Sequence, residues 1–156
     1  MKKMELSGKP IRNILLVDDD LDDSYIFDVA LREVSSTIKL TRENSCEQII
    51  KALDDCNPDL IFLDINLPKV DGFDCLKFIH ENAVHCNIPI VMYSSSHNPK
   101  EIVYAYEFGA SLFFSKPSKF ADLVEGLRNI IFMDWTNPKV IKLQYYNEGQ
   151  YQPYQL

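Results

Sequence analysis

The sequence predicts a doubly wound α/β domain built on a five-stranded parallel sheet. Short apolar runs alternate five times with segments whose apolar residues recur at the spacing of a helix. Most of these runs are continuous, as parallel strands are when helices cover both faces of their sheet. A chain of 156 residues that repeats a strand and a helix in this way is expected to form one domain of this class.

Five strands are predicted from the apolar runs. They cover residues 13–17, 38–42, 60–64, 88–93 and 111–115. The second alternates apolar and polar residues, which indicates a half-exposed strand. The other four are continuous apolar runs and indicate strands that are buried on both faces.

Five helices are predicted, one after each strand. They cover residues 22–34, 45–54, 73–82, 99–108 and 120–133. Ser45 has the side chain of an N-cap, and Pro99 suits the first turn of a helix. Asn57-Pro58 ends the second helix and Gly109 ends the fourth, because these residues interrupt a helical pattern.

Composition excludes several classes of partner. The formal net charge is −7, so nucleic acid and anionic membrane surfaces are poor partners, because both are bound through Lys and Arg. The N-terminus MKKMELSGKP lacks the apolar stretch of a secretory signal, and no apolar run approaches the ~20 residues of a membrane-spanning helix. The four cysteines form no C-x-x-C pair, which favours thiols in a reducing compartment. We therefore expect a cytoplasmic protein.

Polar residues gather at the predicted carboxyl ends of the strands. These residues are Asp18 and Asp19 after the first strand, Asp64 at the end of the third, Ser94 after the fourth and Lys116 after the fifth. Carboxyl ends of parallel strands meet at one edge of the sheet, where open α/β domains bind ligands. We therefore expect these side chains to lie close together.

Three carboxylates in one site repel one another. A like pair ~4 Å apart costs about 4 kcal/mol at an effective dielectric constant of about 20, so a cation must compensate or some carboxylates must be protonated. Oxygen ligands favour Mg²⁺, or Mn²⁺, over zinc. A dication opposite Lys116 and Ser94 predicts a phosphoryl ligand, with Asp64 as the candidate nucleophile.

Four segments, ILLVDDD, PDLIFLDINLPKVDGFD, IPIVMYSS and GASLFFSKP, resemble the signature blocks of response-regulator receiver domains. They stand in the order of that family, and the resemblance covers about residues 13 to 133. It implies a flavodoxin-like (βα)5 sandwich with strand order 2-1-3-4-5. It also implies a single-domain response regulator of a two-component or phosphorelay system, whose partner is a histidine kinase or a phosphotransfer protein.

The resemblance further implies a role for each acidic residue. Asp64 accepts a phosphoryl group, so the protein is a phosphoacceptor that catalyses only its own phosphoryl transfer and autodephosphorylation. Mg²⁺ binds Asp19, Asp64 and the backbone carbonyl of Asn66, and Asp18 holds a metal-bound water.

Ser94, Lys116 and Phe113 form the implied phosphoryl-stabilising and switch set. Lys116 pairs with Asp64 and then with the phosphoryl group, and the Ser94 hydroxyl moves to a phosphoryl oxygen. Phe113 stands at the family's aromatic switch position but lacks a hydroxyl. The peptide bond between Lys116 and Pro117 is implied to be cis. The implied switching face is helix four, strand five and helix five, through which a homodimer can also form.

Two other classes of function compete with this reading. A Mg²⁺-dependent hydrolase would also use Asp64 as nucleophile, but such phosphatases carry an Asp two residues later, where this chain has Asn66. A flavodoxin-like cofactor binder would need a Gly-rich phosphate loop after strand one, where this chain has aspartates.

The domain organisation follows from the five pairs of elements. Residues 1–12 are expected to be an N-terminal extension, residues 13–133 the receiver domain, and residues 134–156 a C-terminal tail without an output domain. The tail is rich in tyrosine, at positions 145, 146, 151 and 154. Disorder, packing on its own body and packing on a partner subunit are all open for the tail.

Overall fold

The computed structural model of the chain describes residues 9–156, so most of the predicted N-terminal extension lies outside it. Its centre is one parallel sheet with the strand order β2-β1-β3-β4-β5. The strands are β1 (Asn13–Val17), β2 (Lys39–Glu43), β3 (Leu60–Leu63), β4 (Ile90–Ser94) and β5 (Leu112–Ser115). This confirms the predicted fold class and strand order.

Each strand is followed by a helix, as predicted. The helices are α1 (Leu21–Val34), α2 (Ile49–Cys56), α3 (Gly72–Glu81), α4 (Pro99–Glu107) and α5 (Phe120–Ile131). Asp20 is the N-cap of α1, and its side chain accepts hydrogen bonds from the backbone N–H groups of Asp22 and Asp23. No helix within residues 9–156 is both long and apolar enough to cross a membrane.

Successive side chains of the strands enter two separate cores. Ile14 and Leu16 of β1 belong to the core under α1 and α5, whereas Leu15 and Val17 belong to the core under α2, α3 and α4. All four side chains are buried. Both faces of the sheet are therefore covered, as the continuous apolar runs predicted.

Helix α2 begins later than predicted, and Ser45 is not its N-cap. The helix starts at Ile49, and Gln48 precedes it without a side-chain capping bond. The backbone N–H of Ile49 donates to the carbonyl of Cys46 at 3.0 Å, so a turn comes before the helix. Cys46 is buried in the core, and this turn brings it there.

Two of the four cysteines are not thiols in the structure. Cys46 and Cys75 form a disulfide that joins the turn before α2 to α3, whereas Cys56 and Cys86 are free. The expectation of four thiols is therefore wrong for this pair. The two residues are 29 positions apart and become neighbours only when α2 and α3 pack on the same face of the sheet.

The C-terminal residues pack on the body of the domain. They form α6 (Pro138–Gln144) and a short antiparallel hairpin of β6 (Tyr146–Asn147) and β7 (Gln150–Tyr151). Trp135 and Ile141 lie in the core that α1 and α5 cover. Of the three alternatives for the tail, packing on its own body is the observed one. The packed structure extends past residue 133, and the absence of an output domain stays a prediction.

Trp135 fixes the chain after α5. Its side chain is 3% exposed, and its indole N–H donates to the carbonyl of Ile130 at 2.8 Å. We expect Trp135→Phe to lower the free energy of unfolding by about 2 kcal/mol, because it loses both that hydrogen bond and buried volume. Urea denaturation measures this loss. Phe132→Leu, at a side chain that is 52% exposed, is the control and should change stability by about 0.5 kcal/mol or less.

Candidate functional site

Two buried aspartates meet at the carboxyl edge of the sheet. Asp18 follows β1 and Asp64 follows β3, and these strands are neighbours. The backbone N–H of Asp64 donates to the carbonyl of Val17 at 2.9 Å, which continues the ladder and holds the two strand ends in register. Asp18 is 2% exposed and Asp64 is 5% exposed. The parallel pairing of β1 and β3 therefore places two carboxyl groups in a site with little water.

Asp19 completes an acidic cluster with these two residues. One carboxylate oxygen from each of Asp18, Asp19 and Asp64 lies within 4.8 Å of the other two. Asp19 is exposed, so the cluster opens to solvent on one side. Three carboxylates at this spacing, with room for water, fit a hard divalent cation and not a sulfur- or nitrogen-preferring metal.

Lys116 reaches into the cluster from the end of β5. Its Nζ donates to Asp18 Oδ2 at 2.7 Å, to Asp23 Oδ2 at 2.9 Å and to Asp64 Oδ2 at 3.0 Å. The lysine side chain is 11% exposed. One ammonium thus bridges three carboxylates, and with Asp19 nearby the site keeps an excess of negative charge. That excess is what a divalent cation would balance.

The protonation behaviour of the site follows from burial and pairing. Burial raises the pKa of Asp18 to about 6, although the hydrogen bonds from Lys116 and from the Asp20 backbone act to lower it. Burial acts to lower the pKa of Lys116, but its hydrogen bonds to Asp18 and Asp23 and the charge of Asp64 outweigh this effect and raise that pKa. Lys116 is therefore a permanent cation in the site.

Asp23 is a site residue that the sequence reasoning missed. It sits in the first turn of α1, three residues after the N-cap Asp20, and its side chain is 39% exposed. The signal was available: an N-cap at Asp20 fixes the start of α1 at the strand end, so the first turn of the helix faces the site. Asp23 is less conspicuous than Asp18 and Asp19 because it lies in the first turn of α1 and does not directly follow a strand.

Ser94 and Asn66 lie beside the acidic cluster. Ser94 is fully buried, and its hydroxyl oxygen accepts a hydrogen bond from the backbone N–H of Ser96 at 3.3 Å. Its carbonyl accepts a hydrogen bond from the Lys116 N–H at 2.8 Å, which ties the ends of β4 and β5 together. Asn66 is exposed, and its backbone N–H donates to Asp64 Oδ1 at 3.3 Å. The structure therefore brings six of the predicted site residues to one edge of the sheet: Asp18, Asp19, Asp64, Asn66, Ser94 and Lys116.

The Lys116–Pro117 peptide bond is trans, so the predicted cis bond is wrong for this structure. The trans form is the more stable one for an X–Pro bond, by about 0.5–1 kcal/mol. Lys116 reaches all three carboxylates with the bond in the trans form.

Phe113 lies within β5, and its side chain is fully buried in the core under α2, α3 and α4. Its backbone N–H donates to the Tyr106 hydroxyl at 3.0 Å. It stands three positions before Lys116, which directly follows β5, so one short strand connects the predicted switch position to the site lysine. A switching role for Phe113 stays a prediction.

The comparisons with known proteins agree with this geometry. Residues 14–128 match the family described as the response regulator receiver domain. The two-component response regulator ORR3 of Oryza sativa subsp. japonica is 34% identical over 126 residues, which cover 80% of this chain and 94% of ORR3. The chain belongs to the response regulator receiver domain family. It is a signalling protein of two-component systems, in which receiver domains bind divalent metal and interact with histidine kinases or phosphotransfer proteins.

Two further relatives define how far this likeness extends. The sensory transduction protein BceR of Halalkalibacterium halodurans is 30% identical over 118 residues, which are 76% of this chain but 49% of BceR. The chain thus matches about half the length of that relative. Response regulator Rcp1 of Synechocystis sp. is 28% identical over 134 residues, 81% of this chain and 91% of Rcp1. The crystal structure of the Mn²⁺-bound form of Rcp1 superposes with a TM-score of 0.69, covering 81% of this chain and 95% of that one.

Proposed function

We propose that Asp64 is the phosphoacceptor of this receiver domain and that Mg²⁺ supports the transfer. The observation that carries the proposal is the three-way contact of Lys116 with Asp18, Asp23 and Asp64 beside the open carboxylate of Asp19. Asp64 is the central member of this set, because it follows β3, the middle strand of the sheet. The other groups approach it from β1 on one side and from β4 and β5 on the other.

The metal would be held by Asp18, Asp19, Asp64 and the backbone carbonyl of Asn66, with Asp18 acting through a bound water. Mg²⁺ suits an all-oxygen site that retains water, and Mn²⁺ has the same ligand preference. When bound, the ion supplies positive charge to the phosphoryl oxygens during transfer. The support from this chain is the charge balance: four carboxylates, Asp23 included, share one ammonium.

The transfer itself is a displacement at phosphorus. One carboxylate oxygen of Asp64 forms a bond to phosphorus as the P–N bond of a phosphohistidine donor breaks, and the electron pair leaves with the imidazole. Lys116, already 3.0 Å from Asp64 Oδ2, neutralises charge on the new phosphoryl group. Ser94 would contribute its hydroxyl by turning away from the Ser96 N–H group. Hydrolysis of the resulting acyl phosphate then returns Asp64 to its free carboxylate.

The surface that contacts the phosphoryl donor protein lies on α1, beside the acidic cluster. Leu21, Tyr25 and Ile26 are 76%, 65% and 43% exposed, although their apolar character would suit a core. Apolar side chains grouped on one exposed helix face indicate a protein contact. A histidine kinase or phosphotransfer protein that docks there would bring its phosphohistidine to the edge that carries Asp64.

Cytoplasmic localisation is part of the same proposal.

Beryllofluoride tests this function, because it forms a tetrahedral adduct with a carboxylate and so mimics an acyl phosphate. In the presence of Mg²⁺, ¹⁹F NMR should detect a bound species with the wild-type protein and none with Asp64→Asn. Asp59→Asn is the matched control. Asp59 lies at the opposite end of the sheet, where it accepts hydrogen bonds from the backbone of Arg12 and Asn13. Equal binding to both variants would contradict the assignment of Asp64.

Asp19 and Asp23 are expected to differ in metal binding although both are carboxylates of one edge. We predict that Asp19→Asn weakens Mg²⁺ binding roughly tenfold or more, because it removes a direct ligand. Asp23→Asn should leave the affinity nearly unchanged, because Asp23 contacts Lys116 and lies outside the three-carboxylate cluster. Isothermal titration calorimetry with MgCl₂ measures both. A larger loss of Mg²⁺ affinity for Asp23→Asn than for Asp19→Asn would contradict the proposed ligands, because the metal would then lie at Asp23.

A further inference from the structure

The segment Tyr145–Tyr154, called here the C-terminal cover, lies across three elements of the domain. It contacts α4 through Tyr106, whose ring stacks on that of Tyr151 with 4.7 Å between centroids. It contacts β5 through Phe114, whose ring packs edge-on against Tyr154 at 5.6 Å. It contacts α5 through Asn129, whose Nδ2 donates to the Tyr154 hydroxyl at 2.8 Å.

The cover also completes the edge of the sheet. β5 is an edge strand, and such a strand presents unpaired backbone groups to solvent or to another chain. The backbone N–H of Tyr154 donates to the carbonyl of Phe113 at 2.7 Å, so the cover occupies this edge. A homodimer through α4, β5 and α5, as predicted from the sequence, would need the face that the cover occupies.

Tyr106 of α4 links the cover to β5 through its hydroxyl group. Its hydroxyl accepts a hydrogen bond from the Phe113 N–H at 3.0 Å and donates one to the carbonyl of Gln152 at 2.8 Å. Burial raises the pKa of Tyr106, so the hydroxyl keeps the proton that it donates. The carbonyl of Phe113 is thus bound to the cover directly, and the N–H of Phe113 is bound to the cover through Tyr106.

This arrangement connects the cover to the acidic site through one short strand. Phe113 is three residues before Lys116, and the Lys116 N–H is bonded to the carbonyl of Ser94. In the present arrangement Lys116 is held by three carboxylates, and the cover is docked. A phosphoryl group on Asp64 would offer Lys116 and Ser94 new oxygen acceptors. Any resulting shift of β5 would move the carbonyl and the N–H of Phe113 away from their partners in the cover.

We infer that the C-terminal cover is a phosphorylation-sensitive lock on the α4–β5–α5 face. It is docked while Asp64 is unmodified and is released when Asp64 carries a phosphoryl group, which frees the β5 edge for a protein partner. The inference rests on the proposed function of Asp64. Because coupling between two sites is reciprocal, a cover that phosphorylation releases must in turn oppose phosphorylation while it is docked.

Hydrogen exchange at one amide tests the release directly. With Mg²⁺ and beryllofluoride, the exchange rate of the Tyr154 amide, followed by ¹⁵N NMR, should rise about tenfold. The Lys39 amide, which donates to the carbonyl of Arg12 at the far edge of the sheet, should keep its rate. Unchanged or slower exchange at Tyr154, with ¹⁹F NMR showing bound beryllofluoride, would overturn the inference and leave the proposed function intact. Failure of beryllofluoride to bind would overturn both.

The reverse direction is tested by weakening the cover. Tyr154→Pro removes the N–H that bonds to Phe113, and it should tighten beryllofluoride binding several-fold because the docked state loses stability. Gln155→Pro is the matched control, since within residues 9–156 the Gln155 N–H donates to no protein acceptor. Equal affinity of Tyr154→Pro and Gln155→Pro, or weaker binding by Tyr154→Pro, would overturn the inference.

Discussion

Lys116→Met is expected to lower the free energy of unfolding by about 3 kcal/mol at neutral pH in EDTA. The ammonium bridges Asp18, Asp23 and Asp64, and two of these carboxylates are almost fully buried. Without it, the carboxylates repel one another, and the pKa of Asp18 rises further because its hydrogen bond from Lys116 is lost. Mg²⁺ should restore part of the lost stability, because the ion replaces the missing positive charge.

Urea denaturation with and without Mg²⁺ measures both parts of this prediction. Lys69→Met is the matched control, because the Lys69 side chain is 73% exposed and its ion pair with Glu47 lies on the surface. That variant should change stability by about 0.5 kcal/mol in either buffer. A Lys116→Met protein as stable as Lys69→Met, or one insensitive to Mg²⁺, would show that the carboxylates do not depend on a cation.

Gly72→Ala is expected to damage the site without touching any of its side chains. A Cβ atom at this position would lie against the carbonyl oxygen of Asp64 and 2.5 Å from the Cα of Ile65. The Gly72 N–H also donates to the carbonyl of Ile65 at 2.7 Å. If the two backbones moved apart to make room for the Cβ atom, this hydrogen bond would be lost. The helix must therefore move, or the end of β3 must move with Asp64. We expect a loss of about 3 kcal/mol in stability and weaker Mg²⁺ binding.

Thermal or urea unfolding and calorimetry with MgCl₂ test this variant. Glu81→Ala, at the exposed end of the same helix, controls for a general effect on α3. It should keep Mg²⁺ affinity and lose little stability. If Gly72→Ala binds Mg²⁺ as tightly as the control does, then the approach of α3 to the Asp64 backbone does not position the carboxylate.

Much of the fold and of the site was predictable because their signals are local. Continuous apolar runs such as residues 60–63 indicate strands covered on both faces, and β3 is one. The rule that ligands bind at the carboxyl ends of parallel strands then selected Asp18, Asp64 and Lys116, and the structure brings these three within hydrogen-bonding reach. Spacing along the chain was enough here, since each residue directly follows its strand.

The parts that sequence reasoning missed depend on contacts between distant segments. The pairing of Cys46 with Cys75 follows from the packing of α2 and α3 on one face, which no cysteine spacing reveals. The N-cap at Asp20 places the first turn of α1 at the site, but which of its carboxylates contacts Lys116 depends on the angle at which α1 leaves β1, and in the structure it is that of Asp23. The docking of the C-terminal cover depends on the free edge of β5, and a polar, tyrosine-rich segment carries no signal that names its own partner.

The most direct test of the account is the mass of the intact protein after incubation with acetyl phosphate and Mg²⁺. We predict the addition of one phosphoryl group to the wild-type protein and to Asp74→Asn, whose carboxylate lies exposed on α3. Asp64→Asn, and the wild type in EDTA, should gain none. A phosphoryl group on Asp64→Asn, or one acquired equally in EDTA, would contradict the central claim that Asp64 is a metal-dependent phosphoacceptor.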